Sequence, residues 1–180
     1  GTPLFIMPSM DFQHFSDADL AALVAYLEQA PPVDNETHGH TFTPMARILY
    51  AAGAFGDAIA AETIDHAAAH AETPPAGGTA EYGAYVVALA GCRTCHGQQL
   101  AGGKDPDPTA PPAPNLTRGG ELAGWREADF VKSMREGRTP GGRLLSDFMP
   151  WKTLGQLSDE ELHALWLYLQ AQPPLPAQSS

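Results

Sequence analysis

Residues 92–96 read Cys92-Arg93-Thr94-Cys95-His96, and the meaning of this pentapeptide decides what fold must surround it. Two thiols three positions apart, followed at once by an imidazole, are what covalent haem attachment requires. The thiols add across the two vinyl groups of one porphyrin, and the imidazole reaches the iron from the proximal side. A structural zinc site would need a second ligand pair, yet Cys92 and Cys95 are the only cysteines in the chain. A thioredoxin-like redox pair would sit in a βαβ pattern, and no strand-rich stretch precedes Cys92. The spacing therefore predicts one c-type haem, with Cys92, Cys95 and His96 as its protein partners.

The rest of the composition narrows the setting. A length of 180 residues allows one or two small domains, and 43% hydrophobic residues suffice for a buried core. The net charge of −11 argues against nucleic acid and anionic membrane surfaces, and for redox partners that present basic patches. No run of 18 uncharged apolar residues occurs, so no transmembrane segment is expected. The chain opens at Gly1 without a basic, apolar leader, so a targeting peptide is expected to have been removed or left out.

An internal repeat stands out at an offset of 142 residues. When Met7-Pro8 is set beside Met149-Pro150 and followed to Pro31-Pro32 and Pro173-Pro174, 11 of 26 positions are identical. They are Met7, Pro8, Ser16, Asp17, Leu20, Ala22, Leu23, Tyr26, Leu27, Pro31 and Pro32. Each copy has a Met-Pro loop, a Ser-Asp start, an apolar helix and a Pro-Pro stop. A helix flanked by Ser and Pro can arise by coincidence; the shared methionine loop at the same distance points to duplication. The second copy follows the Cys92–His96 motif, whereas only six residues precede Met7. The expectation is a fragment of a longer di-haem or multi-haem polypeptide. Residues 1–32 would then be the tail of a first domain, 33–79 a linker and 80–175 a complete domain.

Helical patterns dominate and strand patterns are nearly absent. Ser158 opens a capping box with Glu161, and Leu162, Leu165, Trp166 and Leu169 mark one face until Pro173. Ser16 with Asp19 starts the matching helix, which carries Leu20, Leu23, Val24 and Leu27. Further helices are expected over Glu81–Gly91 and Glu127–Glu136, the latter with Phe130, Val131 and Met134 inward and Gly137 as its stop. A short amphipathic helix is expected over Pro44–Phe55.

Residues 82–174 resemble a class I cytochrome c domain: a leading helix, C-x-x-C-H, a proline-rich loop, a middle helix, a methionine loop and a closing helix follow in that order. The first 32 residues resemble its last third. The run Glu81-Tyr82-Gly83-Ala84-Tyr85-Val86 is similar to the form found in di-haem and multi-haem subunits of bacterial dehydrogenases and respiratory chains. The resemblance implies an all-α fold around a covalent haem c, His96 Nε2 as the proximal ligand, and the Pro114 carbonyl of Pro114-Asn115-Leu116 as the acceptor for His96 Nδ1. It makes Met149, in Phe148-Met149-Pro150-Trp151, the distal ligand, and the repeat points to the same residue. A thioether there stabilises ferrous iron relative to a second imidazole. The insertion Lys104-Asp105-Pro106-Asp107-Pro108 is expected to be solvent-exposed.

Other candidates carry less. Trp125, Trp151 and Arg143 can donate to haem propionates or simply lie on the surface. His66 and His70 are spaced to pair on a metal, but with no third ligand evident they read as a solvated face. Met134 reads as core, and Met10, Met45, His14, His38, His40 and His163 carry no argument. The expected function is electron transfer with His/Met ligation, as a carrier or as the cytochrome subunit of a respiratory or dehydrogenase complex rather than an enzyme in itself. A di-haem peroxidase, a sulfur-compound oxidase or a haem sensor would need an exchangeable iron position. Because c-type attachment in bacteria occurs outside the cytoplasmic membrane, the resemblance implies a periplasmic or outer-face location, with a second haem in the longer parent chain.

Overall fold

Side-chain caps set the helix boundaries. In the computed structural model, which describes residues 8–34, 42–54, 64–103 and 109–176, Ser16, Thr43, Thr79 and Ser158 each accept a bond from the amide three residues on. Those bonds satisfy amides that the first turn of a helix leaves orphaned. The helices they open are α2 (Asp17–Glu28), α3 (Pro44–Ala51), α4 (Ala80–Leu89) and α8 (Asp159–Ala171). Short turns form α1 (Ser9–Phe12), α5 (Cys92–His96) and α7 (Trp151–Leu154), and α6 spans Glu127–Glu136. Gly137 ends α6 with φ of 66°, the left-handed conformation that glycine adopts without penalty. The described residues contain no strand, only isolated bridges joining Gly103 to Ala113 and Arg138 to Leu144. The all-α expectation holds, and α3 ends four residues short of Phe55, which lies outside the described residues with Met7 and Lys104–Pro108.

The chain divides into two compact units, Gly1–Thr73 and Pro74–Ser180. In the first, the opening amides of α2 are met by a returning segment: Asp17 N–H donates to Ala71 O and Ala18 N–H to Glu72 O. Only Ser16 among its described residues is buried.

The second unit is built around α4 crossing α8. Val86 and Val87 from α4 and Leu162, Leu165 and Leu169 from α8 are buried together with Phe130 and Met134 of α6. Each large apolar side chain so removed from water contributes about 1.5–3 kcal/mol. The crossing depends on Gly83, where a β-carbon would lie 2.0 Å from Ala164 O and 2.7 Å from Tyr168 Cβ. Only a residue without a side chain lets the two backbones approach so closely.

Candidate haem site

The pentapeptide forms its own turn directly after α4. Gly91, at φ of 62°, swings the chain out of one helix and into the next, so that Cys92, Cys95 and His96 share the single turn of α5. Within the turn Cys92 and Cys95 stand three apart and His96 four from Cys92, which puts all three on one side. Both cysteines are partly exposed, and His96 is buried.

The His96 ring is fixed by one contact. Its Nδ1 lies 2.8 Å from the Pro114 carbonyl oxygen, which can only accept, so Nδ1 carries the proton and Nε2 keeps its lone pair. Burial pushes the imidazole pKa below the ordinary histidine value, opposed by the bond to Pro114 and the charge of Glu121. The ring is therefore neutral at physiological pH. Two thiols and a neutral, oriented imidazole on one turn suit a covalently attached haem, whose porphyrin Cys92 and Cys95 would hold and whose iron His96 would meet through Nε2.

A tightly bonded loop carries Pro114. Leu116 N–H donates to Leu100 O, and Gly102 N–H to His96 O, which ties the segment after His96 to the segment after Pro114. Leu100 is held at φ of 58°, a conformation that costs a bulky residue of order 1–3 kcal/mol, by these bonds and by burial of its side chain. The buried side chain of Asn115 donates to Leu175 O at 2.8 Å and accepts from Thr117 N–H and Oγ1, also at 2.8 Å. Thr117 Oγ1 in turn accepts from Leu175 N–H at 3.2 Å. The stretch of chain beyond α8 is thus strapped across the loop that holds His96. Asn115, Thr117 and Leu175 escape sequence reasoning because the partners lie 58 to 60 positions apart.

Arg93, between the two cysteines, also makes a long-range contact. Its Nη2 donates to Tyr168 OH at 2.6 Å and its Nε to Gln98 O, and the guanidinium lies 6.0 Å from the centre of the Tyr168 ring. The cysteine turn is thereby pinned to α8.

Met149 sits half-buried against the core, its N–H donating to Ser146 O and its carbonyl accepting from Trp151 N–H at 2.7 Å. Met134 is in the core, and Met10 and Met45 are exposed. Of the propionate candidates, Arg143 pairs with the Glu121 carboxylate, Trp125 packs on the core, and the Trp151 ring covers Gly137 with Lys152 Nζ 5.5 Å from its centre. Residues 66–70 are not helical, so the spacing of His66 and His70 does not place them on one helix face. No cluster of three metal-ligating side chains occurs among the described residues. His163 binds Glu127 at 2.8 Å.

Comparison with known proteins agrees with this reading. Residues 78–169 match the family described as cytochrome c oxidase, cbb3-type, subunit III, a class I cytochrome c family. A nicotinate dehydrogenase subunit of Pseudomonas putida is 32% identical over 116 residues, a match that covers 57% of this chain and 10% of that relative. Domains of this class transfer electrons. The match takes in the α4–α8 crossing, the cysteine turn, the Pro114 loop and the Met149 loop, and the chain accordingly belongs to the cytochrome c family described as subunit III of cbb3-type cytochrome c oxidase.

Proposed function

We propose that the chain carries single electrons through a haem c held by Cys92 and Cys95, with His96 and Met149 as axial ligands, in the service of a larger dehydrogenase or respiratory assembly. The observation that carries this is the bond from buried His96 Nδ1 to Pro114 O, which fixes the tautomer a metal-bound histidine needs. Bound haem supplies a ferric/ferrous couple that takes up and releases one electron. His96 stays neutral because it is buried, and its proton stays on Nδ1 because Pro114 O accepts it. Leu100, buried in the loop that follows His96, helps exclude water there. Met149, as sixth ligand, closes the iron to substrates, which favours a carrier over an enzyme with an open position.

Leu144 and Phe148 are the exposed large apolar side chains among the described residues of this unit, and both belong to the loop that carries Met149. Two exposed apolar side chains on that loop suit brief docking to a redox partner. The Pseudomonas putida relative is named as a subunit of a dehydrogenase, which supports a role in such a complex. The site of action is outside the cytoplasmic membrane, and no described helix is long and apolar enough to cross one. The repeat supports a second haem in the parent polypeptide, with Met7 as its distal ligand.

A pyridine haemochrome assay after acid–acetone extraction tests the attachment: one unextracted c-type haem per chain is expected. Extractable haem, or a zinc ion in its place, would overturn the reading. The reduced protein should bind carbon monoxide poorly, and rapid, stoichiometric binding would favour the sensor or enzyme readings.

A further inference from the structure

The 142-residue repeat is a repeat of structure as well as of sequence. The turn α1 (Ser9–Phe12) corresponds residue for residue to α7 (Trp151–Leu154), each preceded by a proline at φ of −76°. Asp11 N–H bonds to Pro8 O and Thr153 N–H to Pro150 O, both at 3.0 Å. The caps agree too: Asp19 N–H donates to Ser16 Oγ and Glu161 N–H to Ser158 Oγ, both at 3.2 Å. Here α2 is a second α8, with Leu20, Ala22, Leu23, Tyr26 and Leu27 in the places of Leu162, Ala164, Leu165, Tyr168 and Leu169.

Their surroundings are opposite. Leu162, Leu165 and Leu169 are 0%, 6% and 4% exposed beneath α4, whereas Leu20, Leu23 and Leu27 are 44%, 37% and 59% exposed. A row of leucines open to water marks an interaction site. In the second unit the same face has a known cover, and its fit is specific. Gly83 admits the Ala164 carbonyl, Val86 and Val87 fill the space beside the leucines, and Arg93 reaches the Tyr168 hydroxyl.

We propose that the Leu20–Leu23–Leu27 face of α2 is the docking surface of a second α4-type helix, supplied in cis by the opening part of a first haem domain of which α2 is the closing helix. This rests on the function proposed above. The α4 of this chain, or of a second copy, is already spent on its own α8. In the repeat register the missing counterpart of α4 falls ahead of Gly1, and the Pseudomonas putida relative carries its matching stretch within a far longer polypeptide. The occupant carries glycine where it meets Ala22, apolar β-branched residues three and four positions later, and a cation within its C-x-x-C to meet Tyr26.

The test is hydrogen exchange of residues 17–28 in the full gene product and in the 180-residue chain. A photo-crosslinker at Leu23 in the full product names the contact. Tenfold or greater protection in the full product, and a crosslink to a glycine-bearing helix ahead of residue 1, are expected. The substitution Leu23→Asp should remove the protection, while the haem content at Cys92 and Cys95 stays at one per site. Equal exchange in both proteins, no helix ahead of residue 1, or a crosslink to a second copy or to another subunit would each overturn the proposal. The electron-transfer reading fails separately, by loss of covalent haem from the 180-residue chain.

Discussion

At the scale of single residues, the proposed ligation would divide the work between His96 and Met149. The proton that His96 Nδ1 shares with Pro114 O makes the opposite nitrogen a strong donor, and a thioether in the sixth position favours the ferrous state. Met149→Ala should therefore lower the reduction potential and abolish the weak near-red sulfur-to-iron band, as read by spectroelectrochemistry. A band that survives would identify another sulfur, with buried Met134 first in line. Asn115→Ala tests the strap behind the histidine. It leaves the buried Thr117 amide unpaired and the Leu175 carbonyl with only the 3.4 Å bond from Thr117 Oγ1, at a cost of about 1–3 kcal/mol. Chemical denaturation should register that loss, and amide exchange near Leu175 should accelerate before that of α8.

Between elements, the decisive contact is the α4–α8 crossing. In an ordinary helix interior, replacing glycine by alanine stabilises by about 1 kcal/mol. At Gly83 the sign reverses, because the new methyl would meet the Ala164 carbonyl at 2.0 Å. Gly83→Ala should destabilise the haem domain by about 1–3 kcal/mol or more, seen as a fall in Tm. What is legible in the sequence and what is not divides along the same line. The caps at Ser16 and Ser158, the stop at Gly137 and the cysteine turn depend on residues within four positions of one another, and local pattern suffices to read them. The proximity of Pro114 to His96 enters through family resemblance, since no local rule links residues 18 positions apart. The role of Gly83, the Asn115–Leu175 strap and the Arg93–Tyr168 bond depend on where distant segments meet. Arg143 likewise meets a partner that no local pattern announces, the Glu121 carboxylate 22 positions away.

For the whole molecule, charge and topology govern behaviour. With a net charge of −11, electron exchange with a basic partner should slow as salt is added, because screening at about 0.15 M cuts the attraction to roughly 8 Å. Stopped-flow rates across an ionic-strength series check this, and a rate indifferent to salt would point to a neutral docking site. The α4–α8 contact also orders events in time. It joins the first and last helices of the domain, so it cannot close before the whole domain has been made. A growing chain makes α8 last. Until then Val86 and Val87 have no cover, Arg93 has no tyrosine to hold, and the turn bearing Cys92 and Cys95 hangs open beside an unclosed core. The thiols are consequently most open to attachment while the chain is unfolded, and docking of the final helix fixes the turn that bears them.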